Sequence, residues 1–183
     1  HFFINTGIND TSYYWNELTK CLRVYCELKK VCPSLDSLNI GGGFGIAYTK
    51  SETSIAPDYV IPAIATVIKA ECKKAGISIP KISIEPGRAI VGPTTTTIYT
   101  VGTSKNVVLD DGSIRRYISV DGGMSDNIRP SLYGAEYTTI LANRTSSAKN
   151  VSSRLVGKHC ETGDIIIREI DLPDDIVPGD LLA

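Results

Sequence analysis

The chain has 183 residues, of which 42% are hydrophobic and 21% are charged, so it can bury a core and is neither disordered nor fibrous. Its formal net charge of −1 leaves no electrostatic footprint for nucleic acid or an anionic membrane, and no apolar stretch approaches the roughly 20 residues of a membrane span. Five cysteines without CxxC spacing argue against a disulfide framework and a zinc site, so we expect no metal and a reducing, cytoplasmic compartment.

The first half of the chain alternates short apolar runs with helical patterns. Strands are predicted at residues 1–4, 35–40 and 79–84. Two amphipathic helices are predicted between them, one from Trp15, Leu18, Leu22, Tyr25 and Leu28, the other from Tyr59, Ile61, Ile64, Ile68 and Cys72. This alternation indicates βαβ units and therefore a parallel sheet, open or closed into a barrel.

The pattern changes near Pro93. β-Branched runs at residues 94–101, 117–120, 137–141 and 164–170 are separated by Gly, Asp, Asn and Ser, which is typical of antiparallel sheet. We therefore place a boundary at about residues 92–100, between an α/β half and a β-rich half.

Two motifs follow predicted strands of the first half. The glycine cluster 41–45 comes directly after the second strand, where glycines let backbone N–H groups approach a phosphate. The sequence Glu85-Pro86-Gly87-Arg88 follows the third strand. Taken alone, the glycine cluster is as typical of a plain tight turn as of a phosphate site, and Glu-Pro-Gly-Arg is more typical of a surface turn than of a site. Two such motifs at strand ends on one edge of a sheet, however, indicate a site.

Two further motifs lie in the β-rich half. In the segment 121–133, Arg129 and Tyr133 could bind a carboxylate through a guanidinium and a hydroxyl. The segment 157–164 is a polar cluster that contains His159 and the thiol of Cys160. Taken alone, either residue is more typical of ordinary packing or surface than of a site.

Taken in this order and spacing, the segments GGGFG, EPGR, VDGGMSDNIRPSLYG and GKHCETGD resemble the fold-type III pyridoxal-phosphate decarboxylases, and the Cys-Glu-x-Gly-Asp form resembles their diaminopimelate branch. The match spans most of residues 36–183. It implies an α/β plus β fold, an alanine-racemase-like (β/α)8 barrel followed by a β-domain. Residues 1–92 would be the last strands and helices of a pyridoxal-phosphate-binding barrel, and residues 93–183 most of the β-domain.

The resemblance also implies a pyridoxal 5′-phosphate site. Backbone and hydroxyl groups would hold the phosphate, and a carboxylate would pair with the pyridine nitrogen. The phosphate-binding residues would be Gly41, Gly42, Gly43, Gly87, Arg88 and Thr6, and the carboxylate would be Glu85.

The substrate site follows from the same resemblance. The far carboxylate of an amino-acid substrate would be bound by Arg88, Arg129 and Tyr133. The catalytic Cys160, together with Glu161, would reach across a homodimer into the partner's site, where Glu161 would bind the far ammonium group. The implied reaction is decarboxylation of meso-2,6-diaminopimelate to L-lysine and carbon dioxide.

Several features depart from the family pattern. The lysine that would form the Schiff base with the cofactor has no counterpart here, and the chain begins without a methionine, so we expect an incomplete chain that is inactive alone. Phe3 stands where the family has a histidine that stacks on the cofactor, and residues 1–35 lean towards the arginine or ornithine decarboxylases. A basic amino-acid decarboxylase and a non-catalytic family member are the alternatives, although Arg129 and Tyr133 argue against a substrate with a cationic tail.

Overall fold

A computed structural model of the protein describes residues 1–3, 11–54 and 57–183. The chain divides into two compact units, His1–Thr95 and Thr96–Ala183, each with its own hydrophobic core. None of the described helices combines the length and the apolar character needed to cross a bilayer. Within the same residues, no group of three or more His, Cys, Asp or Glu side chains is arranged to hold a metal ion.

The first unit contains two long helices and a pair of short strands. Its elements in chain order are α1 (Thr11–Val31), β1 (Ser37–Asn39), α2 (Pro57–Ala75), β2 (Lys81–Ser83), α3 (Gly87–Val91) and a 3₁₀ turn (Gly92–Thr94). Strands β1 and β2 pair in parallel, with Leu38 opposite Ile82, and α2 supplies the crossover that a parallel pair requires. The predicted βαβ unit is therefore confirmed.

The core of the first unit is formed by one apolar stripe on each long helix. Its buried side chains are Leu18, Leu22, Tyr25 and Cys26 of α1, Val60, Ile64, Ile68 and Cys72 of α2, and Leu38 and Ile40 beside them. Leu28 and Tyr59, which we expected on these stripes, are 51% and 63% exposed because each lies a quarter turn or more from the buried face. Ile61, in the first turns of α2, is 40% exposed.

The predicted strand at residues 1–4 is wrong for the residues that can be described. Residues 1–3 belong to no strand, although the Phe2 amide donates to the Asn39 carbonyl over 3.1 Å, and Ile4 lies outside the described residues. The two other predicted strands of this half exist but are shorter than predicted.

The second unit is a five-stranded sheet. Its elements are β3 (Tyr99–Val108), β4 (Ile114–Val120), α4 (Arg129–Tyr133), β5 (Asn150–Val156), β6 (Ile165–Pro173) and β7 (Leu181–Leu182). The strand order is β6-β5-β4-β3-β7, and all neighbours are antiparallel except β4 and β5, which run parallel. The expectation of an antiparallel sheet thus holds for every pair but that one.

Two strand predictions in this half need correction, and one strand was not predicted. The strand predicted from residue 94 begins only at Tyr99; a 3₁₀ turn occupies Gly92–Thr94, and residues 95–98 belong to no element. Residues 137–141 form no strand: Ile140 exchanges backbone hydrogen bonds with Ala183, and Leu141 makes a single bridge to Leu182. Strand β5 was not predicted, and the long connection that precedes it permits its parallel pairing with β4.

Candidate active site

The glycine segment that follows β1 brings two strand ends together. Gly41 and Gly43 have positive φ angles of 72° and 90°, which favour glycine. A Cβ on Gly41 would lie 2.4 Å from the Phe2 carbonyl oxygen, and one on Gly42 would lie 2.1 Å from the Glu85 carbonyl oxygen. The first two glycines therefore permit a close approach of neighbouring backbone, and they place this segment directly beside Glu85.

Glu85 is held at the end of β2 by contacts with the β1 side of the sheet. Its backbone N–H donates to the Gly41 carbonyl over 2.8 Å. In its side chain, Oε1 accepts a hydrogen bond from Asn39 Nδ2 at 2.7 Å, and Oε2 lies 3.3 Å from His1 Nε2. The carboxylate is thus oriented from two sides, while 56% of the side chain stays exposed and accessible to a ligand.

Gly87 and Arg88 begin the short helix α3 immediately after this carboxylate. A Cβ on Gly87 would meet no atom within 4 Å, so the space next to it is open. The Arg88 guanidinium lies 5.9 Å from the centroid of the Tyr48 ring, a cation–π distance. The first unit therefore brings together all its predicted site residues except Thr6, which lies outside the described residues.

A carboxylate, a guanidinium and a glycine backbone are chemical groups that suit a pyridoxal phosphate group. The carboxylate matches a protonated ring nitrogen, and Arg88 matches a phosphate or a carboxylate. Asn39 and His1 were missed by sequence reasoning as partners of Glu85. The signal was present for Asn39, a polar residue between Leu38 and Ile40 just before the glycines.

In the second unit, Arg129 and Tyr133 occupy opposite ends of α4. The guanidinium of Arg129 lies 5.5 Å from the centroid of the Tyr133 ring, and Tyr133 is 68% exposed. The five-residue helix ends at Gly134, whose φ of 61° is the left-handed conformation that commonly terminates helices. The two side chains predicted to share one carboxylate thus lie next to each other.

Cys160 and Glu161 lie in the turn between β5 and β6, and both are exposed. The same turn contains His159, whose Nε2 lies 2.7 Å from Ser125 Oγ in the segment 121–133. The second unit therefore brings its two predicted motifs side by side.

Sequence reasoning missed Tyr99 and Asp126 in this region. The Tyr99 hydroxyl donates to Asp126 Oδ2 over 2.5 Å, while Asp126 Oδ1 accepts the Gly123 N–H at 2.8 Å. Burial, and then this carboxylate, raise the pKa of the Tyr99 phenol far above its usual range, so the phenol stays protonated and remains a donor. A Cβ on Gly122 would lie 1.9 Å from the Tyr99 ring, so the ring requires a glycine there.

Two protein-family models divide the chain between them. Residues 1–92 match "Pyridoxal-dependent decarboxylase, pyridoxal binding domain", and residues 91–183 match "Pyridoxal-dependent decarboxylase, C-terminal sheet domain".

Among curated proteins, the chain is similar to the diaminopimelate decarboxylase of Corynebacterium efficiens, with 44% identity over 184 residues that cover 100% of this chain and 40% of the relative. It is 50% identical to the diaminopimelate decarboxylase of Mycobacterium tuberculosis over 147 residues, which are 80% of this chain and 33% of the relative. Among solved structures, the diaminopimelate decarboxylase of M. jannaschii in complex with L-lysine matches with a TM-score of 0.84 and 25% identity, over 97% of this chain and 39% of that one. The chain therefore spans two fifths or less of these proteins.

Proposed function

We propose a function for this chain from one premise: it belongs to the pyridoxal-dependent decarboxylases, whose two domain models together match all of its residues. The proposed reaction is the decarboxylation of meso-2,6-diaminopimelate to L-lysine and carbon dioxide by the longer protein of which this chain would be a part. The observation that carries the proposal is the 44–50% identity to curated diaminopimelate decarboxylases over 80–100% of the chain. The M. jannaschii relative was solved with L-lysine, the product of this reaction, which supports an amino-acid ligand here.

The cofactor is pyridoxal 5′-phosphate, in keeping with the pyridoxal-binding domain of residues 1–92. When bound, it supplies an electron-accepting pyridinium ring for the electrons that remain when carbon dioxide leaves. We assign its phosphate to the backbone of the glycine segment 41–43 and of Gly87 and Arg88, with Thr6 as a hydroxyl donor. Open space at Gly87 supports this assignment.

Glu85 would hold a proton on the ring nitrogen of the cofactor. A carboxylate close to that nitrogen favours its charged, protonated form. The hydrogen bond from Asn39 Nδ2 at 2.7 Å fixes Oε1, so the carboxylate keeps one orientation when the ring arrives. To pair with the ring nitrogen, a carboxylate must be both exposed to the cofactor and fixed in orientation, and Glu85 is both.

The substrate's far end would be recognised by charge. Arg129 and Tyr133, adjacent on α4, would bind the distal carboxylate, and Glu161 would bind the distal ammonium group. Cys160, whose thiol is exposed, would be the catalytic residue. A pocket of this kind rejects substrates without the distal groups, because it would otherwise bury unpaired charge.

The finer architecture belongs to the same proposal. Residues 1–92 would be the last part of a (β/α)8 barrel and residues 93–183 most of the C-terminal β-domain. The whole protein would be a homodimer in which Cys160 and Glu161 enter the partner's site, which their exposure in a turn permits. All five cysteines are free, and this supports a reducing, cytoplasmic compartment.

The proposal is tested with the full-length protein that contains this chain. The wild type should use meso-diaminopimelate in preference to lysine, ornithine and arginine. Arg129→Ala should lower kcat/KM for diaminopimelate by roughly 10- to 150-fold, since a hydrogen bond to a charged group contributes about 1.5–3 kcal/mol. The same change should not harm turnover of the basic amino acids, because it removes a cation that repels their tails.

Arg168→Ala is the matched control, since it removes an exposed arginine from β6 and should leave kcat/KM unchanged. A wild type that prefers ornithine or arginine would instead favour the basic amino-acid decarboxylase. A full-length protein with no activity on any of these substrates would favour the hypothesis of a non-catalytic family member.

A further inference from the structure

We propose that Asp164 is a positioning residue that fixes the Cys160–Glu161 turn against the loop leading to Arg129 and Tyr133. The inference rests on the proposed function, because Asp164 would position two groups of substrate-binding residues, of which Cys160 and Glu161 would act in the partner's site. Asp164 itself would touch no substrate. Its carboxylate joins two loops of the second unit, through Met124, which is 40 residues away from it in sequence, and His159, which is 5 residues away.

The Asp164 side chain lies between the two loops. The residue is 3% exposed, so its carboxylate is removed from solvent. Oδ1 accepts the Met124 backbone N–H at 2.6 Å, and Oδ2 accepts the His159 backbone N–H at 2.8 Å. One oxygen thus holds the first loop and the other holds the turn that contains Cys160. Hydrogen bonds to a buried carboxylate are the strong, short kind, and each loses much of its strength if the charge is removed.

Glycines on both loops make the space for this carboxylate. A Cβ on Gly123 would lie 2.6 Å from Oδ1 of Asp164, and Gly123 has a φ of 153°, which is unfavourable for other residues. A Cβ on Gly157 would lie 2.2 Å from Oδ2. The carboxylate therefore fills a slot that any side chain at these two positions would close.

Further contacts join the same two loops, and we call this set of contacts between segments 121–133 and 157–164 the seam. The Lys158 N–H donates to the Gly122 carbonyl at 3.0 Å, and the side chains of His159 and Ser125 meet at 2.7 Å. The Gly157 N–H donates to the main-chain carbonyl of Asp164 at 2.9 Å, which closes the turn on itself. Asp164 is the only buried carboxylate among these contacts. Exchanging one of its oxygens for an amide nitrogen should therefore weaken the seam.

The consequence for the site follows from chain connectivity. Cys160 and Glu161 directly follow His159, and α4 with Arg129 begins five residues after Met124. A shift of either loop would therefore move the groups assigned to the substrate's far end. The groups assigned to the cofactor belong to residues 1–95 and take no part in the seam. Loss of the Asp164 contacts should consequently weaken substrate binding and spare cofactor binding.

The test uses Asp164→Asn in the full-length enzyme. Asparagine keeps the shape, but its amide NH2 cannot accept a backbone N–H, so one of the two loop contacts is lost. KM for diaminopimelate should rise at least tenfold, kcat should change less than KM, and the visible absorbance of the bound cofactor should be unchanged. Asp111→Asn is the matched control, because Asp111 Oδ1 also accepts a backbone N–H, that of Ser113 at 2.9 Å, but in the exposed β3–β4 turn. Its KM should equal that of the wild type.

A folded Asp164→Asn enzyme with the wild-type KM would overturn the proposal. If this variant does not fold, Ser125→Ala decides, since it removes the exposed side-chain contact of the same seam; we expect a two- to fivefold rise in KM, and an unchanged value would count against the proposal. A wild type that decarboxylates another amino acid refutes the proposed substrate, and the role of Asp164 is then judged by KM for that amino acid.

Discussion

Replacing Asp180 with asparagine should loosen the C-terminal end of the second unit. The Asp180 side chain is 5% exposed, and its carboxylate accepts hydrogen bonds from Arg144 Nε at 2.9 Å and Arg144 Nη2 at 2.8 Å. It also accepts the Asn143 amide at 3.1 Å and the Val177 N–H at 3.0 Å. The bonds from Arg144, more than any other cause, hold the pKa of Asp180 well below its usual range.

The magnitude follows from what the substitution leaves behind. Removing one partner of a buried charged pair costs about 3–5 kcal/mol, because the other charge remains without compensation. Arg144 is 32% exposed and still pairs with Asp175, whose Oδ2 lies 3.0 Å from Nη1. The guanidinium charge therefore retains one counter-charge and some solvent. We therefore expect the lower end of that range, about 3 kcal/mol, which is roughly a 100-fold change in the local opening equilibrium.

Hydrogen exchange measured by mass spectrometry on the full-length protein is the suitable assay. Peptides within residues 174–183 should lose roughly 100-fold in protection, while peptides of α1 and α2 should not change. Asp175→Asn is the matched control: it shares Arg144, but its side chain is 44% exposed, and an exposed pair contributes at most about 1 kcal/mol. Equal loss of protection in the two variants would refute the assignment of the energy to the buried carboxylate.

The pH dependence of the same experiment has a defined sign. Because the pKa of Asp180 is lowered in the folded state, its contribution to stability is fully present above the unfolded value of about 3.9. It is lost progressively as the pH falls towards the folded pKa. The difference in protection between wild type and Asp180→Asn should therefore be the same at pH 7 and pH 5.5 and should shrink below about pH 4. A difference that grows on acidification would contradict this linkage.

Two further predictions concern the first unit. Glu85→Gln in the full-length enzyme should keep the visible absorbance of the cofactor but lower kcat roughly tenfold or more, since the ring nitrogen loses its charged partner; unchanged turnover would mean that Glu85 has another role. In the cofactor-free protein, Gly42→Ala should lower the melting temperature, because its Cβ would lie 2.1 Å from the Glu85 carbonyl, whereas Gly87→Ala, with nothing within 4 Å, should melt like the wild type. Equal melting temperatures for the two alanine variants would refute the close approach.

The helices of the first unit could be predicted because their pattern has one cause. Leu18, Leu22 and Ile64, Ile68 recur every four residues and are all buried, as a helix with one core-facing stripe requires. Strand β5 could not be predicted, because Ser152 and Ser153 interrupt its apolar character. Ser153 is nevertheless fully buried, and its hydroxyl donates to the Val151 carbonyl at 2.9 Å, which removes the cost of burial. Composition alone cannot distinguish a buried, hydrogen-bonded serine in a strand from a serine in a loop.

The proximity of Glu85 to the glycine segment follows from a general property of parallel strands. Their carboxyl ends lie at one edge of the sheet, so residues that follow two neighbouring strands must meet. The contacts that orient Glu85 could not be predicted in this way. His1 meets Glu85 across 84 positions of sequence, and nothing in the sequence pairs them.

Glycines show most clearly where sequence reasoning stops. A glycine that follows a strand suggests space for a ligand, and Gly87, with open surroundings, fits that view. Gly123 and Gly157 have a different cause, since the space they leave is filled by the buried carboxylate of Asp164. The three positions look alike in sequence, because the side chain that occupies the space is remote along the chain from Gly123. A sequence motif can therefore combine residues proposed to bind the substrate with a residue proposed to position them, and in the segments 121–133 and 157–164 both kinds would lie within a few positions of each other.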